Sequence, residues 1–263
     1  MIDEKKLDAF RRLGVVKFKG LIAYDIVAAL QEKIRKRMEV TGVAIDGRWI
    51  SKDRDRWQVK RVKKIREPLK KTRALRNIVT HDVLKVANIL VPGARQAPLS
   101  YPHLLLTPPN SDDWKLPGDV WHTDLPRTVE PGCPGVQMFA CIDYTKPKGG
   151  ATLVAAGSHQ FINDAGFVRS KDLKKKLKYY DYFKTLLNGK ATTKAYMSAQ
   201  QVAGISCQIL ELTGAPGDVW FTDLRILHTL SLNISETPRL AVTQRFFAPI
   251  SFELAQLPVT GDD

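Results

Sequence analysis

Cysteine and long apolar runs are both scarce in this chain of 263 residues. The three cysteines, Cys133, Cys141 and Cys207, form no C-x-x-C pair, which argues against a disulfide framework or a zinc knuckle and predicts reduced, buried thiols. No apolar run reaches the roughly 18 residues of a membrane span, and the opening MIDEKKLDAF is acidic and amphipathic, unlike a secretory leader. We therefore expect a cytoplasmic protein that makes no membrane contact.

The chain also lacks internal repeats and low-complexity stretches. Hydrophobic residues make up 44% and charged residues 26% of the sequence, which is the composition of a folded chain rather than a disordered one. The length is sufficient for a large buried core, and no stretch has the composition of a linker. We predict a single domain over residues 1–263.

Positive charge is in excess, with a formal net charge of +14, and it is concentrated in two segments. Lys52–Arg76 carries twelve Lys or Arg against three Asp or Glu, and Arg169–Lys178 carries six against one. Such segments bind phosphates, carboxylates, acidic carrier proteins or nucleic acid, and they also occur as solvated faces without a partner. Charge alone does not choose among these alternatives.

The first 95 residues have mainly helical patterns. In Asp25–Val40 apolar residues recur every four positions, and Asp25 is placed to cap the first turn. His81–Leu90 reads as a more buried helix that Pro92 and Gly93 end. A third helix is predicted over Lys171–Asn188.

From residue 96 to 252 the pattern changes to short apolar runs separated by Pro and Gly turns. These runs predict strands at His103–Leu106, Val136–Ile142, Ala151–Ala155, Gln208–Leu212, Val219–Phe221 and Leu240–Phe247. We predict a mainly β fold, a double-stranded β-helix of the jelly-roll, cupin-like kind, with the N-terminal helices packed outside. Residues 165–190 are expected to form a helical lid over the active site.

Two histidines and one aspartate carry a metal-ligand pattern. In a strand, residues i and i+2 point to the same face, so the H-x-D of His122 and Asp124 would bring an imidazole and a carboxylate together. His228, far downstream in another strand-like run, would complete two histidines and one carboxylate, the facial triad of non-haem Fe(II) oxygenases. H-x-D alone is weak, because it arises often by chance.

The surrounding motifs make the pattern specific. They follow in order as G-V-V-K-F-K-G-L-I at residues 14–22, W-H-T-D at 121–124, G-G-A-T-L-V-A-A-G-S-H at 149–159, and G-D-V-W at 217–220 followed by His228, Asn233, Ser235 and Arg239. This sequence resembles the non-haem Fe(II)/2-oxoglutarate dioxygenases, and among them the phytanoyl-CoA dioxygenase-like family. It departs from the family pattern at Gly149, where an Asn is usual, and at Ala156, where a Pro is usual.

The resemblance implies roles for individual residues. His122, Asp124 and His228 would bind Fe(II), and Arg239 would pair with the distal carboxylate of 2-oxoglutarate, a bond that a planar guanidinium makes well. Related halogenases have a small residue in place of the carboxylate, so Asp124 implies oxygen transfer from O2. The co-substrate would be released as succinate and CO2.

Other residues near these motifs are weaker candidates. Tyr101, Gln137 and Thr152 flank the expected pocket, and we predict that they contact 2-oxoglutarate or substrate. His159 is expected to fix a loop rather than to bind metal. Arg245 lies six positions after Arg239, so the two share a strand face, and it offers either a second pocket cation or a surface charge.

Three functions remain open at the level of sequence. The leading one is an oxygenase that hydroxylates or otherwise oxidises an unactivated C–H of a small, anionic or carrier-bound metabolite. A nucleic-acid oxidative dealkylase gains from the net charge, but no basic groove with interleaved aromatics supports nucleic acid as a partner. The third is a non-catalytic jelly-roll binding module, which the complete ligand set argues against.

Overall fold

We analysed a computed structural model of the chain, which describes residues 2–45, 48–50, 56–96, 100–125, 128–129, 132–163, 166–167, 169–249 and 251. Residues 52–55 of the first basic segment, residues 165 and 168 of the predicted lid, and residue 252 lie outside this description. No helix among the described residues is long and apolar enough to cross a membrane. Cys133, Cys141 and Cys207 are all free; Cys141 and Cys207 are buried, as predicted, whereas Cys133 is only partly buried.

Five helices occupy most of the first 95 residues, and three more follow the midpoint of the chain. They are α1 (Glu4–Leu13), α2 (Tyr24–Val40), α3 (Arg56–Leu69), α4 (Arg73–Arg76), α5 (His81–Leu90), α6 (Ser170–Leu177), α7 (Asp181–Leu187) and α8 (Thr193–Tyr196). The predicted stripe of α2 is confirmed, because Val27, Leu30 and Ile34 are fully buried. Asp25 does not cap this helix; it lies within the first turn, where its carboxylate faces the positive end of the helix dipole.

Thirteen strands are described, and most of them pair into two antiparallel sheets. They are β1 (Val15–Phe18), β2 (Ala44–Ile45), β3 (Arg48–Trp49), β4 (His103–Thr107), β5 (Thr128–Val129), β6 (Gly135–Cys141), β7 (Thr152–Ala156), β8 (Gly166–Phe167), β9 (Gln200–Val202), β10 (Ile205–Glu211), β11 (Val219–Asp223), β12 (His228–Leu230) and β13 (Arg239–Phe247). The larger sheet has the order β1-β11-β6-β13-β4, and the smaller has the order β12-β7-β10-β9. The predicted jelly-roll core is confirmed.

Alternation along the strands divides the apolar core into three layers. On β6, Val136, Met138 and Ala140 pack against the N-terminal helices, whereas Phe139 faces the space between the two sheets. On β7, Val154 and Ala156 face the same interior, and Leu153 and Ala155 face outwards. Polar groups that share the interior face are therefore held between two rigid sheets.

The helix predicted over Lys171–Asn188 is two helices, because α6 ends at Leu177 and α7 begins at Asp181. The break packs the rings of both Tyr180 and Phe183 edge-on against Phe161, at centroid distances of 4.7 and 5.1 Å. Buried side chains of both helices join the core on the outward face of β7 and β10. That they close over the active site stays a prediction.

Candidate metal centre

Three ligand-bearing residues meet at the edge of the smaller sheet. His228 is the first residue of β12, and the loop before β5 brings His122 beside it, where each residue accepts a backbone hydrogen bond from the other at 2.8 and 2.9 Å. Asp124 Oδ2 lies 3.7 Å from His228 Nε2. One ligand atom from each side chain lies within 4.8 Å of those of the other two. The structure thus brings the predicted triad together.

Backbone carbonyls orient both imidazoles. Nδ1 of His122 lies 3.2 Å from the carbonyl oxygen of Val120, and Nδ1 of His228 lies 3.1 Å from that of Ile226. A proton on each Nδ1 satisfies these contacts and leaves each Nε2 with a free lone pair. Burial lowers the pKa of His228 to about 4, although Asp124 opposes the shift. The imidazole is therefore neutral at pH 7, which is the form that binds metals.

The G-S-H stretch supports this site without entering it. The Ser158 hydroxyl accepts a 2.8 Å hydrogen bond from the backbone N–H of Leu227, the residue before His228. His159 Nε2 lies 3.0 Å from the carbonyl oxygen of Arg11 in α1, so this histidine fixes a loop, as expected. Gly157 has a φ of +86°, and a Cβ there would lie 2.3 Å from a backbone oxygen, so only glycine fits.

Arg239, the first residue of β13, is buried with most of its hydrogen-bonding capacity unused. Its Nη2 donates to Thr152 Oγ1 at 2.9 Å, while Nε and Nη1 find no partner among the described residues. Burial lowers the pKa of Arg239 to about 10, so the guanidinium remains charged at pH 7. A buried cation that lacks a partner is costly, and an incoming carboxylate would satisfy it.

Asn233 shapes the turn that delivers Arg239. Its Nδ2 donates to the carbonyl oxygens of Thr107 and Thr237, and its Oδ1 accepts from the backbone and hydroxyl of Ser235. The N-x-S of the sequence motif is thus a structural device. It fixes the start of β13 so that Arg239 enters the interior.

Strand β7 links Arg239 to the triad. Thr152 contacts Arg239, and Val154 lies directly opposite His228 in the register of β7 and β12. Residues two apart on a strand share a face and are about 7 Å apart. The guanidinium and the metal-ligand cluster therefore face one interior space at a separation that a short dicarboxylic acid can bridge.

The remaining predicted residues have diverse surroundings. Gln137 is buried on β6 and donates to Thr243 Oγ1 at 2.9 Å, which occupies its amide within the sheet. The ring of Tyr101 lies 6.0 Å from the guanidinium of Arg76, and no described contact joins Tyr101 to the triad. Arg245 is exposed and lies opposite Gln137 in the register of β13 and β6, two residues from Phe139, whose ring packs against His228. Ligand contacts by Gln137, Thr152 and Tyr101 stay predictions.

An ion pair close to His228 escaped the sequence reasoning. Asp223, at the end of β11, accepts two hydrogen bonds from Arg225, at 3.0 and 2.7 Å, and it also accepts from the Arg225 backbone N–H. The pair lies just before Ile226, whose carbonyl oxygen orients His228. Arg225 lies in the turn that follows β11, so the alternation of a strand does not indicate this pair, and the short D-x-R spacing was the signal available in the sequence.

The donor set fits the groups that the sequence motifs imply. Two imidazoles and one carboxylate are the ligands of a facial Fe(II) triad. The unpaired Nε and Nη1 of Arg239 match a bidentate carboxylate. His122 is exposed, so the cluster opens towards solvent on its side.

Comparisons with known proteins identify solved structures that share this fold. No family profile matches the chain, and no curated protein sequence matches it. Among solved structures, the non-heme α-ketoglutarate-dependent carbocyclase SnoK from nogalamycin biosynthesis aligns with a TM-score of 0.59 and 16% identity, over 99% of this chain and 94% of SnoK. The epimerase SnoN, in complex with Fe3+, α-ketoglutarate and nogalamycin RO, aligns with a TM-score of 0.54 and 17% identity, over 99% of this chain and 91% of SnoN.

EctD from S. alaskensis, solved with 2-oxoglutarate and 5-hydroxyectoine, aligns with a TM-score of 0.57 and 19% identity, over 95% of this chain and 77% of EctD. At such low identities the likeness establishes the fold, and the chemistry of this chain is argued from its own residues. The chain therefore has the fold seen in SnoK, SnoN and EctD.

Proposed function

We propose that the protein is an Fe(II)/2-oxoglutarate-dependent oxygenase of the phytanoyl-CoA dioxygenase-like family. It oxidises an unactivated C–H of a small, anionic or carrier-bound metabolite. His122, Asp124 and His228 hold the iron, and Arg239 holds the co-substrate. Residues 1–263 act as one domain, and the three free cysteines support a reducing, cytoplasmic location.

The observation that carries this proposal is the buried guanidinium of Arg239 on the same interior face as the triad, with Nε and Nη1 lacking partners in the described part of the chain. A metal cluster without it would suit many metal-dependent functions. A dicarboxylate co-substrate requires a cation that binds its distal carboxylate. Arg239 provides this cation about two strand residues away from the triad. Thr152 supports the proposal because it fixes the guanidinium orientation at 2.9 Å.

Each protein group has a defined task in this function. Fe(II) and 2-oxoglutarate, when bound, supply the oxidation of substrate by O2 with release of succinate and CO2. Asp124 contributes the anionic ligand, and the carbonyls of Val120 and Ile226 keep the imidazoles in position. Phe139 packs edge-on to His228, at a centroid distance of 6.1 Å, and with Val154 it excludes water from the interior.

The first test is an anaerobic titration of the protein with Fe(II) and 2-oxoglutarate, followed by the weak visible charge-transfer absorption of the chelate. We expect the band in the natural protein and its loss in Asp124→Ala. Asp119→Ala is the matched control, because it removes an exposed carboxylate from the same loop, outside the cluster. Circular dichroism checks that all three proteins are folded.

Succinate formation provides the second readout. We expect slow, uncoupled turnover of 2-oxoglutarate in air and faster release with a matching substrate. A folded protein that forms neither the band nor succinate contradicts the proposal and favours the non-catalytic binding module. Turnover with alkylated single-stranded DNA, and with no small metabolite, would favour the nucleic-acid dealkylase.

A further inference from the structure

A small cavity with basic walls lies at the edge of the larger sheet. It has a volume of about 120 Å³ and is formed between α3 and the start of β4. Arg66 and Lys70 line it from the helical side, and His103 lines it from the strand. Glu67 is the acidic side chain among its described lining residues. The space suits one small charged group rather than a whole metabolite.

Arg245 extends the positive charge from this cavity towards the metal centre. His103 pairs with Thr243 in the register of β4 and β13, so Arg245, two residues further on, lies diagonally across the same face. Burial lowers the pKa of His103 first, and the charges of Lys70, Arg66 and Arg245 lower it further. Arg245, an exposed side chain, also lies opposite Gln137 in the register of β13 and β6, two residues from Phe139, whose ring packs against His228. The strand register therefore places Arg245 near His103 and near the aromatic neighbour of His228.

The balance of charge indicates the kind of ligand. Arg66 and Lys70 line the cavity, and Arg245 lies outside the lining, diagonally across the sheet from His103; together they carry three positive charges. His103 is neutral at pH 7, and Glu67 carries one negative charge. The excess of two matches a phosphate monoester, whose charge at pH 7 is about −1.5 to −2. Arginine forks hydrogen-bond two phosphate oxygens at once, and neutral His103 can donate a further hydrogen bond.

We propose that Arg66, Lys70, His103 and Arg245 bind a phosphate group of the substrate and thereby hold the C–H to be oxidised near the iron ligands. This inference rests on the proposed function and adds the substrate class, a phosphorylated metabolite. It also gives part of the first basic segment a specific task. The segment around α6 takes no part in it.

The test is a 31P NMR titration of the full-length protein, without added metal, using methyl phosphate as the probe. We expect saturable binding, and at least about tenfold weaker binding in Arg66→Gln/Lys70→Gln, because charge-assisted hydrogen bonds are lost. Lys171→Gln/Lys175→Gln is the matched control, since it removes two positive charges from the exposed face of α6. The control is expected to bind like the natural protein.

Two further arms separate this inference from its alternatives. Acetate should bind at least about tenfold more weakly than methyl phosphate, because it carries one charge. Arg245→Gln should weaken methyl phosphate binding by a few-fold. Equal binding by the natural protein and the Arg66/Lys70 variant, or an equal loss in the α6 control, overturns the phosphate site.

The outcome is distinguishable from that of the metal titration. If methyl phosphate binding depends on Arg66 and Lys70 but no chelate band forms, the result supports the anion site and contradicts the oxygenase function. If the band forms with unchanged 2-oxoglutarate affinity in Arg66→Gln/Lys70→Gln, the cavity is separate from the co-substrate site. A parallel loss of 2-oxoglutarate affinity would assign these cations to the co-substrate and overturn the substrate proposal.

Discussion

Two arginines near the metal centre have opposite surroundings. Arg225 forms a two-point ion pair with Asp223 at 2.7 and 3.0 Å, and its side chain is 15% exposed. Arg239 is more deeply buried, at 3% exposure, but it has one neutral partner, Thr152, and two nitrogens without partners among the described residues. The carboxylate of Asp223 raises the pKa of Arg225 despite its burial, whereas burial lowers that of Arg239.

The difference separates a structural arginine from a ligand-binding one. Arg225 has its counter-ion within the chain, so the cost of burying the charge is offset when the protein folds. Arg239 is held in place before its counter-ion is present, and the binding of an anion offsets the cost. Both arginines are charged and largely shielded from solvent, Arg239 more completely than Arg225, so the number of unused donors is what distinguishes them.

Removal of the internal counter-ion should have the largest effect on stability. In Asp223→Asn the Arg225 guanidinium stays buried without a full charge partner, and we expect a loss of ~3–5 kcal/mol in the free energy of unfolding. Urea denaturation measures it. The double variant Asp223→Asn/Arg225→Gln should regain part of the loss, because no unpaired charge remains. A loss below about 1 kcal/mol in the single variant would contradict the contrast.

Arg239→Gln should affect binding rather than folding. We expect 2-oxoglutarate affinity to fall about 30-fold or more, because truncating one member of a buried charged pair costs ~2–5 kcal/mol. The unfolding free energy without co-substrate should change little, since Nε and Nη1 of the natural side chain have no hydrogen-bond partner to lose among the described residues. Titration by the chelate band measures affinity, and Arg12→Gln, an exposed arginine in α1, is the control. Unchanged affinity with lower stability would make Arg239 structural.

The smallest effect concerns Asp218, another group that is satisfied within the chain. Burial raises its pKa, but hydrogen bonds from Lys17, Gly20 and Ala215 outweigh burial, so the pKa lies below that of an ordinary aspartate. Its stabilising contribution is therefore complete above the ordinary value near pH 4 and is lost as the pH falls through the lower, folded value.

We expect the unfolding free energy of the natural protein to fall more steeply with acid than that of Asp218→Asn, as measured by urea denaturation between about pH 5 and pH 2. The variant should be the less stable one at pH 7 and should approach the natural protein in acid. Parallel curves would show that the Lys17 pair does not depend on this ionisation.

The elements that repeat a local pattern were predictable from the sequence. Strands β6, β7 and β13 lie within one residue of their predicted ends, because apolar alternation and turn residues mark them. The meeting of His122, Asp124 and His228 was predicted from one H-x-D and the order of the motifs. That Arg239 would lack a partner was not predictable, since it depends on which side chains fail to reach it.

Packing between distant segments explains what the sequence did not reveal. The break between α6 and α7 follows from the contact of Tyr180 and Phe183 with Phe161, which no helical periodicity indicates. The two basic segments look alike in composition, yet Arg66 and Lys70 line a cavity, whereas Lys171 and Lys175 of α6 are exposed. The sequence shows where charged residues are concentrated, but only the fold determines whether they line a cavity or face solvent.

The backbone pairing of His122 with His228 means that a metal bound at this centre would also stabilise the local structure. One reciprocal pair of hydrogen bonds joins these residues, so opening that pair separates both imidazoles at once. A cation held by both side chains would close a long loop and suppress this opening. Metal binding and the local opening of the sheet edge would then be coupled. The backbone amides of His122 and His228 would exchange their hydrogens more slowly when the metal is bound.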